Sequence, residues 1–549
     1  MCCIFLLLNS LRDMNFINDQ FNKGKNRGPE FSILKNIDNM YMGFHRLAIN
    51  GLDSISNQPI VIDDLVLICN GEIYNHKLLE KNNNFNMTTN SDCEIIIHMY
   101  QKYGIDFTLK SLDGVFSFAL YDKSQTKLFI ARDPLGIRPL YWSHSTTNDG
   151  TLNLALASEL KMLTCFDYDV EQYQPGHYSI INLDPNVDDK INTIKYYDHT
   201  NIIPYNAMHA EHLYDIISDS LVQAVKKRIE NTDRKVACLL SGGLDSSLIT
   251  SLVAHMIGAQ NLETYSIGME GSPDLKYAKI VADFLGTKHN EVILSEDDFF
   301  NAIPEVIYAV ESYDTTTIRA SVGNYLVAKH ISQHSDAKVV FNGDGSDELC
   351  GGYLYMHKFT DDLSFDLECK RLLKDIHCFD VLRSDKSISG NGLEPRTPFL
   401  DKNFINTYLS INTSQRFHNF NNSNSMEKWL LRKSMEHWGL KNNVHNKKGI
   451  LPSQVLWRTK EAFSDGVSHQ NKSWFNIISD RCKDKAFSNN HYTLNVPKTN
   501  EQHFYRELFE LYFGAKSSTL IPYFWMPKFA NSDDPSARTI DIYQSKINQ

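Results

Sequence analysis

The chain has 549 residues, 42% hydrophobic and 22% charged, with a formal net charge of −11. That length exceeds what one hydrophobic core of roughly 250–300 residues fills, so more than one domain is expected. The acidic balance argues against a nucleic-acid partner held through its phosphates.

Ten cysteines stand without a Cys-x-x-Cys pair or zinc-type spacing, which points to a reducing compartment, the cytoplasm. The opening Met-Cys-Cys-Ile-Phe-Leu-Leu-Leu run has no basic segment before it and stops at Asn9, which speaks against a secretory signal. No window is apolar over the length a bilayer needs, so no membrane partner is expected. To about residue 190, short strand-like runs prevail, at 65–69, 114–121 and 127–131. One helix is predicted over 92–103, with Ile95, Ile96, Met99 and Tyr100 on a single face. Many strands around few helices predict layered sheets. Residues 184–206 are polar and proline-punctuated, and read as a linker. Beyond them strand and helix alternate: strand 236–240, helix 248–257, strand 263–269, helix 276–285 ended by Gly286, and strands 290–294 and 337–341. This is the pattern of a parallel α/β sheet, whose ligands bind past the carboxyl ends of the strands. The loops 241–247, 266–269 and 342–348 all fall there and are expected to share one crevice. Residues 410–448 are rich in Asn and Lys and predict two helices with little chemistry; the tail beyond Lys528 reads as an extension.

Ser241-Gly-Gly-Leu-Asp-Ser-Ser247, between a strand and a helix, makes an anion cradle from backbone N–H groups, hydroxyls and the helix dipole. It lacks the Gly-Lys-[Ser/Thr] of a Walker A loop, and its Asp245 suggests an anion that arrives with Mg²⁺. Asp347, in Asn342-Gly-Asp-Gly-Ser-Asp-Glu348, is placed to hold that ion together with Asp245. Lys460 offers a point charge for a phosphoryl group. Cys2, once the initiator Met is removed, carries a thiol and an α-amine of pKa roughly 7.7–8 that can serve as its base. Asn70 and Gly71 supply the parts of an oxyanion hole. Arg46 can pair with a carboxylate, and Glu72 and Asp92 with an ammonium. Taken singly, Asn70-Gly71 also reads as a turn, Arg46 as a surface residue, Ser91 or Asp92 as a helix cap, the acidic loop as a solvated turn and Lys460 as a surface lysine. In company with Cys2, the first set describes a grip on the head of a free amino acid whose side chain the thiol attacks.

Several stretches then carry a resemblance. Cys2, Arg46, Asn70-Gly-Glu-Ile-Tyr-Asn-His76, Ser91-Asp-Cys-Glu94 and Arg132-Asp-Pro-Leu-Gly-Ile-Arg-Pro-Leu-Tyr141 are similar to a class II glutaminase domain. The Ser241–Ser247 string, Gly271-Ser-Pro-Asp-Leu275, Tyr313-Asp-Thr-Thr-Thr-Ile-Arg-Ala-Ser321, Glu394-Pro-Arg-Thr-Pro-Phe-Leu-Asp401 and Lys460-Glu-Ala-Phe-Ser-Asp-Gly-Val467 are similar to an asparagine synthetase domain. In this order, from residue 2 to the Asp533-Asp-Pro-Ser-Ala-Arg538 tail, the chain resembles the glutamine-hydrolysing asparagine synthetases.

The resemblance implies an α+β N-terminal-nucleophile (αββα) glutaminase domain over 2–190, an α/β parallel-sheet ATP-pyrophosphatase domain over 206–530 and a tail over 531–549. It implies Cys2 as nucleophile, Asn70 and Gly71 as oxyanion hole, and Arg46, Leu47, Ala48, Ile49, Asn50, Glu72 and Asp92 around glutamine. Leu240, Ile267, Asn342 and Gly343 match ATP-contact positions, and Ser241, Gly242, Gly243, Asp245 and Ser246 the pyrophosphate grip. Thr316 and Arg319 match aspartate-site positions, Lys460 a phosphate contact, and Asp344 the position linked to acyl-adenylate formation. The implied substrates are glutamine, aspartate and ATP with Mg²⁺; a homodimer is left open. Ammonia freed at Cys2 would cross a dry passage, because bulk water protonates it. Two departures stand out: Asn342 replaces the family's usual Ser, and Asp344 its usual Glu, with a reach about 1.5 Å shorter. The rival readings are a β-lactam-synthetase-like cyclase and a non-catalytic homologue.

Overall fold

The computed structural model describes residues 2–148, 150–166, 169–184, 187, 189–204, 209–419, 426–461, 466–468, 472–483 and 492–528. The predicted tail over 531–549, with the 533–538 string, lies outside them, as do residues 462–465 of the Lys460 string.

Twelve strands build the first half: β1 Cys3–Leu8, β2 Phe31–Ile37, β3 Met40–Arg46, β4 Ile60–Ile62, β5 Leu65–Ile73, β6 Gly114–Asp122, β7 Lys127–Arg132, β8 Tyr141–Thr146, β9 Leu152–Ala157, β10 Glu171–Gln172, β11 His177–Asn182 and β12 Ile191–Lys195. They form two six-stranded antiparallel sheets, ordered β10-β8-β9-β1-β3-β2 and β12-β11-β7-β6-β5-β4. The apolar opening run becomes β1, buried along its whole length between β3 and β9. It must be apolar on both faces because it is covered on both. Ile4, Leu6 and Leu8 meet Val66, Ile68 and Ile130 of the second sheet, while Phe5 and Leu7 share a cluster with Ile17 and Phe21 of the helix Met14–Asn22. The far face of the second sheet packs Leu67, Phe118 and Leu120 against the helix Ile95–Tyr103. Helix, sheet, sheet and helix are thus stacked in the expected αββα order. The predicted helix over 92–103 opens as a 3-10 turn, Asp92–Glu94, with Ser91 as its cap. One correction concerns the polar stretch 184–206: residues 191–195 are β12, an edge strand on β11, because the open edge of β11 offers unpaired backbone groups that outweigh the stretch's polarity.

The second half is built on β13 Val236–Leu239, β14 Glu263–Gly268, β15 Lys288–Ile293, β16 Val339–Phe341 and β17 Glu394–Arg396. All pair in parallel, in the order β15-β14-β13-β16-β17. The helix following β13 starts earlier than predicted, at Leu244, and runs to Ile257. That after β14 spans Pro273–Leu285, capped by Ser272 and closed by Gly286 in the left-handed region. Both starts were missed because a helix's first turn is set by its cap and the loop before it, not by apolar spacing. The chain reverses strand order around β13 and β16, so the loops after these neighbouring strands open at the same sheet end.

Candidate active sites

Cys2 lies at the head of β1, beside Asn70 near the end of β5. The Cys2 backbone N donates to Asn70 Oδ1 at 3.3 Å, and Asn70 Nδ2 donates to Ser158 Oγ at 3.4 Å. Ser158 Oγ also accepts from Ile4 N at 3.1 Å, which ties the amide to the strand that carries Cys2. The Cys2 thiol contacts Leu47 O at 3.8 Å. Burial pushes this thiol up, and the positive chain terminus and Arg46 pull it down less. Gly71 needs its hydrogen: a Cβ there would stand 2.5 Å from Val115 O and 2.7 Å from Phe116 Cα on β6.

The residues expected to grip an amino acid make the following contacts. Arg46 donates to Asp53 O (2.8 Å), Asn57 Oδ1 (2.7 Å), Asn50 O (3.3 Å) and Gly51 O, all neutral acceptors. Among the described residues it has no carboxylate partner, so its charge is available to an anion. Glu72 Oε2 accepts from Asn50 Nδ2 at 2.5 Å, Asn231 Nδ2 at 2.9 Å and Arg396 Nη2 at 3.4 Å. Asp92 accepts from Ile73 N at 2.6 Å. Burial, then the nearby Glu394 and Asp92 carboxylates, push Glu72 well above the usual carboxylate range. An ammonium brought between Glu72 and Asp92 reverses that balance and ionises the group. Leu47, Ala48 and Ile49 contribute backbone: Ala48 O accepts from Arg234 Nε at 2.7 Å and Ile49 O from Asp233 N at 2.9 Å.

The second constellation surrounds a crevice of about 240 Å³ at the carboxyl ends of β13 and β16. Ser241 and Ser246 hydroxyls lie 3.0 Å apart, and Ser246 Oγ accepts from Ser241 N at 3.2 Å, folding the loop into a cradle. Gly343 is pressed onto that cradle, where a Cβ would stand 2.6 Å from Ser246 N. Gly243, Asp245, Asn342, Asp344, Asp347, Thr316 and Lys460 also line the crevice. Leu240 and Ile267 are instead core side chains, leaving only their backbone to a ligand. Asn342 Nδ2 donates to Ser384 Oγ at 2.8 Å. Asp344 takes Arg383 Nη2 on Oδ1 at 3.2 Å and leaves Oδ2 buried without a hydrogen bond. Thr316 Oγ1 is likewise buried without one. Arg319 reaches the crevice, but Glu501 holds it in a two-pronged pair at 2.7 and 2.5 Å.

The two carboxylates expected to hold a metal ion, Asp245 and Asp347, face the same point. Asp245 Oδ2 and Asp347 Oδ1 stand 2.6 and 2.5 Å from one ammonium, that of Lys428. A cation at that point reaches both carboxylates, so the donor set suits a hard divalent ion. Lys460 Nζ contacts Asp347 Oδ2 at 2.5 Å. Against burial, which alone would raise it, Lys428 and Lys460 hold the Asp347 carboxyl well below the usual range.

The Asn- and Lys-rich region 410–448, expected to hold little chemistry, therefore supplies Lys428; this expectation is corrected. Arg383, Asp274 and Arg458 were also unforeseen. Asp274, pushed up to about 8 by burial, lines the crevice. Arg458 caps Tyr277 with its guanidinium 3.8 Å from the ring centre. The Gly271–Leu275 string that contains Asp274 was a usable signal; Lys428 and Arg383 carried none.

The two constellations touch through buried ion pairs. Arg27 donates to Cys2 O at 3.2 Å and to both Glu159 and Asp385 at 2.7 Å. Asp385 also accepts from Arg138 at 3.2 Å, and it follows Ser384, the partner of Asn342.

A family model described as a glutamine amidotransferase domain matches residues 1–209, and one described as asparagine synthase matches 217–366 and 358–520. The asparagine synthetase (glutamine-hydrolyzing) of Mus musculus is 41% identical, covering 94% of this chain and 95% of its own. That of Homo sapiens is 40% identical over 95% of each, and that of Gallus gallus 38% identical over 100% of each.

Proposed function

This chain belongs to the glutamine-hydrolysing asparagine synthetases, and from that membership we propose how its own residues divide the reaction. The enzyme forms L-asparagine from aspartate with ATP, taking nitrogen from glutamine. In our reading residues 2–190 are the glutaminase and 206–530 the synthetase. Cys2, freed of Met1, attacks the glutamine side-chain amide, and Asn70 and Gly71 hold the developing oxyanion. Arg46 takes the substrate carboxylate, and Glu72 and Asp92 its ammonium. In the crevice, the aspartate β-carboxylate attacks the α-phosphorus of ATP to give β-aspartyl-AMP and pyrophosphate, and ammonia displaces AMP. Residues 241–246 hold the leaving pyrophosphate, with Lys460 beside it. Asp245 and Asp347 would hold the Mg²⁺ that accompanies ATP, which neutralises phosphate charge when bound. Thr316, with its bare buried hydroxyl, and Arg383 beside Asp344 are the aspartate-site groups we favour, with Arg319 acting through Glu501. A cytoplasmic location fits ten cysteines none of which is paired. Among the described residues no helix is long and apolar enough to cross a membrane.

The observation that carries this division is the tie from Cys2 O through Arg27 to Asp385, one residue from the partner of Asn342. It supports a reading in which the two sites adjoin through buried contacts, as a protected ammonia passage would need. The test is asparagine and pyrophosphate formation with glutamine, with ammonium salt, and with Cys2→Ala. We expect Cys2→Ala to lose glutamine-driven synthesis and keep ammonia-driven synthesis. Retained use of glutamine by Cys2→Ala would overturn the assignment.

A further inference from the structure

Lys428 is placed unlike an ordinary lysine. Its side chain is 1% exposed, and one ammonium bridges carboxylates from two separate loops, Asp245 after β13 and Asp347 after β16. Lys460, by contrast, touches only Asp347 of the pair. The backbone is committed to this placement. Lys428 sits in the left-handed region, φ 56° and ψ 28°, at the head of the helix Trp429–Lys441. A residue with a Cβ is held there only when its surroundings require it. Glu427 clamps the same point, accepting from Arg432 Nη2 and from Lys460 N, each at 2.6 Å. Gly352 supplies independent testimony. A Cβ on it would lie 1.9 Å from Asp347 Oδ1 and 2.1 Å from Lys428 Cε, so this position is kept bare for the pair.

We propose that Lys428 is an internal counter-cation: without nucleotide its ammonium fills the position of the nucleotide's divalent ion, and it moves onto the phosphates when metal and nucleotide arrive together. The proposal rests on the reading that Asp245 and Asp347 hold that ion. Two half-buried carboxylates this close repel each other unless a cation stands between them. A tethered ammonium is present at high effective concentration, so a free metal ion competes poorly for the pair. The phosphates of ATP give the displaced ammonium a new anionic partner beside the 241–246 cradle. Metal and nucleotide therefore help each other bind, and the helping passes through one side chain.

Mn²⁺ binding to the full-length protein, read by water-proton relaxation, tests this without turnover. In the absence of nucleotide, Lys428→Met should bind Mn²⁺ about tenfold or more tightly than wild type. Lys428→Arg should stay near wild type. A non-hydrolysable ATP analogue should tighten Mn²⁺ binding in wild type and do so far less in Lys428→Met. Nucleotide-free Lys428→Met that binds Mn²⁺ no better than wild type overturns the proposal. If that variant shows no cooperative melting, Lys428→Gln is judged by the same criterion. Wild type that takes up no Mn²⁺ even with the ATP analogue overturns the Asp245–Asp347 metal reading itself, which the first negative result leaves standing.

Discussion

Asp344 presents one oxygen to Arg383 and leaves the other buried and unpartnered beside the nucleotide cradle. An acceptor kept bare at such a cost suits a group that meets its partner only when substrate is bound. Its carboxylate is also about 1.5 Å short of the reach a glutamate has. We expect Asp344→Glu to raise aspartate-dependent pyrophosphate release by on the order of tenfold, since misplacements near 1 Å cost up to about 10²-fold. A rate unchanged or lowered in single-turnover measurements would refute the idea. Residues of this kind were legible where a short string fixed their surroundings, as with Asp344, Asn70 and Asp245. Arg383 and Lys428 were not, because nothing adjacent in the chain tells a lysine that two remote carboxylates will close on it.

The two glycines of the cradle play different parts in joining strand to helix. Gly242 has φ +71°, and a Cβ on it would lie 2.4 Å from the backbone of Tyr277 and Ala278, in the helix Pro273–Leu285. Gly243 has φ −72°, and the nearest atom to its Cβ would be Ser241 Oγ at 3.4 Å. Gly242→Ala should therefore lose about 1–2 kcal/mol from backbone handedness alone, with more from the clash. It should raise the KM for ATP while leaving ATP-independent glutamine hydrolysis near wild type. Gly243→Ala should melt within a few degrees of wild type. Equal losses in the two variants, read by thermal unfolding, would show that helix approach does not distinguish them. The sequence marked the order of this strand–turn–helix unit, though not the helix start at Leu244, since its turn signals are local. Which glycine is indispensable depends on a helix about 30 residues further on, where turn chemistry has no reach.

Between the two halves lies a wall of buried charge. Arg27 joins Cys2 O, Glu159 and Asp385; Arg138 reaches Asp385; and Lys386 pairs with Glu311 and Glu159. Glu72 is held by Asn231 and Arg396, and Arg396 O accepts from Asn342 N at 3.1 Å on the crevice side. Removing Arg27 leaves Asp385 to Arg138 and Glu159 to Lys161 and Lys386, so the loss should fall below the about 3–5 kcal/mol of a fully unpaired buried charge. Arg27→Met should lower the melting temperature. On the proposed ammonia passage, it should also raise the ratio of glutamate released to asparagine formed. A ratio equal to wild type in a folded variant would assign Arg27 to stability alone.

By itself the sequence determined the two sheet types, the order of the halves and the strings that line the Cys2 corner and the crevice. Strand alternation, helix spacing, glycine turns and an N-terminal cysteine act over a few residues and are written locally. Tertiary structure alone decided that residues 191–195 complete a sheet, that Arg319 is engaged by Glu501 and that Lys428 bridges Asp245 and Asp347. It also decided that Arg27 binds Asp385, 358 residues away. Such pairings follow from which surfaces the packed domains bring together and desolvate, and a buried charge must then be met by whatever opposite charge the fold delivers.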